Sequence, residues 1–223
     1  MKTEIKEVTL QQQNIKVIIN RKNNKNTYIK VVDGNIIVNT NKYVSQSDIE
    51  RLIHQNQHKI LKIINKQMGQ KLNSNQIRYL GKIYQLVLTS GNKLEIQKTS
   101  NAFYVTSKYD YEKTVDLIYK KEAENVLPKL LSECLTEFNK YYRKTPPKLI
   151  IRKMTRRYGT CYYTKDQICL NSHLMKYDVD VIKYVIYHEL VHFIHHDHSK
   201  NFYASLQLVC PNYKELKKKL NNF

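Results

Sequence analysis

Residues 184–202 read YVIYHELVHFIHHDHSKNF and hold five of the chain's eight histidines with a single glutamate. His188-Glu189-Leu190-Val191-His192 is an H-E-x-x-H pentapeptide. On a helix, side chains at i and i+4 project from one face, so His188 and His192 can close on one zinc ion. Glu189 points beside that pair, where it can hydrogen-bond a zinc-bound water without itself being a ligand. Zinc lowers the pKa of such a water from about 15.7 to about 7, and a carboxylate can take its proton during attack on a carbonyl or phosphoryl centre.

The flanks decide whether the pentapeptide is chemistry or chance. The preceding VDVIKYVIY is apolar around much of its circumference, which predicts a largely buried helix. Two histidines and a glutamate on such a helix are costly to desolvate unless a metal satisfies them. A catalytic zinc needs a third protein ligand, and His195, His196 and His198 follow. On an unbroken helix His188 and His196 lie about 12 Å apart along the axis, too far for one tetrahedral ion. His195 meets the same objection. His198 works if the helix ends and the chain turns back near Asp197. Its offset of six from His192 matches the third histidine of H-E-x-x-H-x-x-G-x-x-H proteases. The glycine of that longer motif is His195 here, a residue that tolerates the left-handed region better than most.

These residues need a scaffold, and the chain is long enough to bury one. It has 223 residues, without the roughly 18-residue apolar run of a membrane span. The N-terminal MKTEIKEVTLQQQNIKV lacks the apolar core of a secretory signal, which predicts a cytoplasmic protein. Cys134, Cys161, Cys169 and Cys210 show no C-x-x-C spacing, so they read as reduced and mostly structural. The net charge of +19 suits anionic partners, although the lysines are spread along the chain and do not form one patch.

NIKVII, TYIKVV and NIIVNT read as strands, with Asp33-Gly34 as a hairpin turn. Ser47-x-x-Glu50 resembles a capping box ahead of a helix over about 47–67, ending near Gly69. IRYLGKIYQLVLTS, a Gly91-Asn92 turn, KLEIQK and AFYVTS predict further strands. Residues 111–143 are helical in composition, with Pro128 placed to kink that run or start a new helix, and Pro146-Pro147 breaks it. KLIIRK and QICLN are strand candidates. The motif helix is expected over about 179–196 with Asp178 as cap, and helices follow over about 199–209 and 211–221. No internal repeat stands out. The pattern predicts an α+β protein: a β-rich N-terminal region, 1–110, packed on a C-terminal region, 111–223, as two parts or one continuous unit. His54 and His58 also sit at i, i+4, but polar neighbours and the lack of an acid between them predict a solvent-facing pair.

Taken together, Arg157-Tyr158-Gly159-Thr160-Cys161, Leu170-Asn171, His188 to His192, Asp197-His198-Ser199 and Pro211-Asn212-Tyr213-Lys214 resemble, in order and spacing, the YgjP-like (WLM-related) zinc metallopeptidase family. The resemblance spans nearly the whole chain. It implies a compact zincin fold, zinc held by His188, His192 and His198, and Glu189 as general base. It also implies a strand from residues 157–171 beside the metal helix, whose edge could pair with an extended peptide. Tyr158 stands where the family commonly has tryptophan, and Phe202-Tyr203 where it has F-W; both changes keep an aromatic ring. The oxyanion stabiliser is not fixed by spacing; Arg157, Tyr163, His173 and Asn171 are the candidates. Cys161 and Cys169, on the flanks of that strand, read as packing residues.

The first expectation is therefore a zinc-dependent metallopeptidase acting on peptide or protein substrates. A zinc-dependent phosphohydrolase or pyrophosphatase acting on nucleotides is the alternative, because the same chemistry serves phosphoryl centres and the charge is basic. A basic nucleic-acid-associated module with a zinc site is the third reading.

Overall fold

The computed structural model describes residues 2–32, 34–70, 72–73 and 75–221. Its contacts divide the chain into two compact units, Met1–Lys71 and Leu72–Phe223. In the first, β1 (Lys2–Leu10), β2 (Gln13–Lys22), β3 (Tyr28–Val32) and β4 (Asn35–Asn41) form a sheet in the order β1-β2-β4-β3. The β2–β4 pair is parallel and the two outer pairs are antiparallel. Alternation drives the packing: Ile15, Val17 and Ile19 of β2 and Ile36 and Val38 of β4 are buried together with Ile49, Ile53, Ile60 and Ile64 from two helices.

Those helices, α1 (Gln46–Gln55) and α2 (Gln57–Gln70), replace the single helix expected over 47–67. Asn56 separates them, its Nδ2 donating to the Leu52 carbonyl at 2.9 Å. The cap is Ser45, whose Oγ accepts from Asp48 N–H at 3.1 Å, and not Ser47. The β1–β2 turn has Gln11 at φ 46° and Gln12 at φ 68°, a left-handed pair normally signalled by Asn-Gly. In the expected Asp33-Gly34 turn, Gly34 has φ 77°, and Asp33 lies outside the described residues.

The second unit opens with β5 (Gln76–Tyr79), β6 (Lys82–Ser90), β7 (Glu95–Lys98) and β8 (Ala102–Ser107), in the order β5-β6-β8-β7. Here too the central pair is parallel and the outer pairs antiparallel. The first unit's topology thus recurs, with a helix after each sheet, although no repeat is evident in the sequence. Burial patterns fix a fold without fixing side-chain identity, so the two copies need share only alternation and turns. The next helix, α3 (Tyr111–Phe138), runs unbroken through Pro128, which is exposed, so the carbonyl it leaves unpaired can face water.

A third sheet contains β9 (Lys148–Arg152), β10 (Gly159–Tyr162) and β11 (Gln167–Asn171) in the order β10-β11-β9. Its β11 strand is parallel to β9 and antiparallel to β10, which leaves β10 at an edge. Three helices complete the unit: α4 (Val179–Val191), α5 (Lys200–Val209) and α6 (Tyr213–Asn221). The α+β class is as expected. The compact units divide after residue 71, earlier than the composition change near residue 110, because β5–β8 share one core with the C-terminal elements. Leu86, Phe103 and Val105 cluster there with Ile118, Leu127, Ile186 and Leu190. Leu80 N–H also donates to the Met175 carbonyl at 2.8 Å.

Candidate metal centre and catalytic cleft

Asp178 caps α4, its Oδ1 accepting from Val181 N–H at 3.0 Å. The helix ends at Val191 with His192 as its C-cap, five residues short of the expected 196. That early stop sends the chain back. Asp197 Oδ1 accepts from Ser199 N–H at 3.2 Å, and Ser199 caps α5. The turn needs no left-handed residue at position 195: among the described residues, only Gln11, Gln12, Leu80 and Asp166 have positive φ outside glycine.

The return brings His198 onto the H-E-x-x-H face. One ring nitrogen each from His188, His192 and His198 lie within 4.8 Å of one another, with His188 Nε2 and His198 Nε2 3.1 Å apart. Phe202 of α5 underlies all three rings, at centroid distances of 4.9, 4.6 and 4.9 Å. His192 Nδ1–H donates to the His195 carbonyl at 3.0 Å, which leaves Nε2 as the lone-pair nitrogen. His195 is itself anchored, its Nε2 lying 2.9 Å from Ser205 Oγ. Burial, reinforced by His192 and His198, pushes the His188 pKa down to about 3, so this imidazole is neutral at ordinary pH.

The donor set fits a zinc ion. Zinc–nitrogen bonds of about 2.0–2.1 Å set tetrahedral ligand atoms about 3.3–3.4 Å apart, close to the His188–His198 separation. Two facing imidazole nitrogens, one of them neutral by burial, offer lone pairs that a cation would satisfy. His188, His192 and His198 are therefore the residues that could hold it.

Glu189 is buried in the same cleft, about 340 Å³ in volume, with Arg157, Gly159, Cys161, Tyr163 and His196 also in its walls. Desolvation pushes its pKa up to about 8, against the pull of the Cys161 backbone N–H and Arg157. That N–H is available because of β-pairing. Asn171 N–H donates to the Tyr158 carbonyl at 2.9 Å, so Tyr158, Thr160 and Tyr162 bond toward β11 and Gly159 and Cys161 face the open edge. Glycine at 159 allows the close approach. A Cβ there would lie 2.6 Å from Glu189 Oε1, 2.7 Å from Cγ and 2.9 Å from Cδ.

A sequence model of the YgjP-like, metallopeptidase domain matches residues 25–223. The chain belongs to the YgjP-like metallopeptidase family. It is accordingly a hydrolase, and membership implies a metal ion, typically zinc, and peptide or protein substrates. Solved structures similar to it include the metallopeptidase zymogen abylysin of Pyrococcus abyssi, at 22% identity over 43% of this chain and 91% of that one, with a TM-score of 0.38. Another is the metallopeptidase zymogen jannalysin of Methanocaldococcus jannaschii, at 20% identity over 42% of this chain and 85% of that one, with a TM-score of 0.36. Comparison with curated proteins finds no match. The nucleotide and nucleic-acid readings draw no support from the family. Among the described residues, no helix is long and apolar enough to cross a membrane.

The four oxyanion candidates separate in this YgjP-like chain. Arg157 and Tyr163 line the cleft, where the Tyr163 ring stacks on His196 at 3.7 Å. Asn171 is buried and spends its amide on the loop before β10, donating to the Met154 and Arg157 carbonyls at 2.7 and 2.8 Å. His173 pairs with Asp116 instead, Nε2 to Oδ1 at 2.7 Å. The Cys161 thiol is pushed up to about 12, by burial and then by Glu189, so it stays protonated. Cys169 is buried in β11. His54 and His58 are exposed, on separate helices. Gly159, Phe202 and the His195 carbonyl escaped sequence reasoning as parts of the site. Only Gly159 and Phe202 left a trace, as members of the family motif.

Proposed function

We propose that this protein hydrolyses peptide bonds, with His188, His192 and His198 as zinc ligands and Glu189 as general base. The observation that carries the reading is the convergence of three imidazole nitrogens within 4.8 Å in a cleft that also holds the buried Glu189 carboxylate. When bound, the ion supplies Lewis-acid polarisation of the scissile carbonyl and acidifies water.

The chain's own residues do the rest. In its ionised form, which the charge of a bound cation would favour over the neutral acid that burial alone gives, Glu189 accepts the proton of the attacking water and returns it to the leaving amine. The Cys161 N–H pulls toward the ionised form of that carboxyl, while Gly159 leaves the space it occupies. His195, through its carbonyl, fixes which nitrogen His192 presents. The Gly159 and Cys161 carbonyls on the outer edge of β10 accept hydrogen bonds from an extended substrate backbone, which aligns the peptide along the cleft. Of the four oxyanion candidates, Arg157 and Tyr163 line the cleft and are able to donate to a developing oxyanion.

Glu189→Gln tests the assignment. The variant should keep one metal ion per chain, read by elemental analysis, and lose peptide turnover by at least about 10²-fold, the scale of general-base catalysis. Turnover equal to that of the unaltered protein refutes the role of Glu189.

A further inference from the structure

Arg157 lines a second cavity besides the catalytic cleft. This one, about 250 Å³, is walled by Arg156, Arg157, Asn171, His173, Lys176 and Tyr177 among others, and no carboxylate stands among its described lining residues. Asp116, which reaches the cavity-lining His173, is already engaged: Oδ1 pairs with His173 at 2.7 Å and Oδ2 with Lys153 at 2.5 Å. Lys176 makes no hydrogen bond or ion pair among the described residues. It is only partly exposed, with its ammonium 5.6 Å from the centre of the Tyr119 ring. A lysine of a solvated charged surface would not be withdrawn in this way.

The wall that carries the arginines is held in place. Asn171 donates to the Met154 and Arg157 carbonyls and accepts from the Met154 and His173 N–H groups at 3.2 and 3.0 Å, so its amide has no capacity left for a ligand. The cavity therefore brings two exposed arginines, on a loop whose backbone Asn171 holds, together with Lys176, and no carboxylate among its described lining residues pairs them. A carboxylate answers that arrangement, because a guanidinium fork and an ammonium both bind its oxygens by charge-assisted hydrogen bonds. Arg157 borders both spaces, so the cavity lies beside the cleft in which a peptide would be held.

We propose that this cavity is a substrate subsite for a carboxylate, borne either by an acidic side chain or by the C-terminus of the peptide. The inference rests on the peptidase reading and deepens it to a substrate class.

The test uses fluorescent N-acylated tetrapeptides in two matched pairs: Glu against Gln with the C-terminus amidated, and free acid against amide with Gln inside. Binding to full-length Glu189→Gln protein is followed by fluorescence anisotropy, and kcat/KM is measured with the metal-loaded unaltered protein. One pair should show about tenfold tighter binding of its charged member, the scale of one charge-assisted contact, and that pair identifies the source. Adding Lys176→Met should bring the ratio close to unity, Lys176→Arg should retain most of it, and Lys129→Met, an exposed α3 lysine that does not line the cavity, should leave it intact. Parity in both pairs, no detectable binding of any of the four, or a preference that survives Lys176→Met overturns the subsite. A Lys176-dependent binding preference without cleavage of any peptide supports the subsite and counts against the peptidase reading. Cleavage without charge preference does the reverse.

Discussion

Gly159→Ala is the most exacting substitution that this site offers. The new Cβ would stand 2.6 Å from Glu189 Oε1 and 2.7 Å from Cγ, where unstrained contacts to carbon lie at about 3.5–4.0 Å. The carboxylate must therefore retreat by about 1 Å. Its freedom to swing aside is small, because Glu189 is buried and sits on a helix packed nearly all round. Retreat takes the carboxyl away from the Cys161 N–H, whose pull on it is then lost. It also displaces the general base, and a misplacement of about 1 Å costs about 10²-fold in rate. The expectation is a loss of about 10²-fold in kcat at saturating metal, with metal stoichiometry unchanged because the three atoms nearest the new Cβ all belong to Glu189 and none to an imidazole ligand. Steady-state cleavage of a fluorogenic peptide gives kcat, and elemental analysis with a thermal melt checks that the metal and fold survive. A kcat within about twofold of the unaltered protein would refute the reasoning that this glycine is required by the carboxylate.

Two further outcomes follow from the geometry around the ligands and from the Asp116 network. Ser205→Ala removes the hydroxyl that anchors His195, whose carbonyl orients His192, and should weaken zinc affinity by about tenfold or more in competition with a chelator. Unchanged affinity would show that the His195 turn holds itself. For Asp116, burial would raise the carboxyl pKa, but hydrogen bonds from Lys153 and His173 outweigh it and hold the group below 3.8. The unfolded chain then binds the proton first as pH falls, so this stabilisation is present above about 3.8 and is lost as pH drops through the folded value. Melting temperatures from pH 7 to pH 3 should show Asp116→Asn less stable than the unaltered protein at neutral pH, with the gap closing in acid. A gap that stays constant with pH contradicts this.

The convergence of the three histidines was legible because their spacing is mechanical. Histidines at i and i+4 share a helix face, and the apolar flank of Val179–Tyr187 predicted burial. His198 was legible only through the condition that the helix ends, which it does at Val191. The surroundings were less readable. Nothing in the residues about Gly159 indicates that a Glu189 carboxylate presses against it, since that contact joins an edge strand to a helix far along the chain. The β1–β2 turn uses two glutamines in left-handed conformations, where propensity expects Asn-Gly, so the paired strands decide the turn and the turn residues do not. The repeated sheet topology was hidden for a related reason. Alternation requires apolar residues at certain positions and is indifferent to which ones, so Val17 and Ile19 of one copy need not align with Leu86 and Phe103 of the other. At Pro128 the alternatives were a kink or a new helix, and no new helix starts there: an exposed position let α3 continue.

The most direct measurement is anomalous scattering from crystals of the full-length protein at the zinc edge, paired with elemental analysis of the same preparation. One zinc per chain should appear, ligated by ring nitrogens of His188, His192 and His198 at about 2.0–2.1 Å, with its fourth position open to the cleft beside Glu189. A site that stays empty after zinc loading, or one closed by a fourth protein side chain, would contradict the hydrolytic assignment.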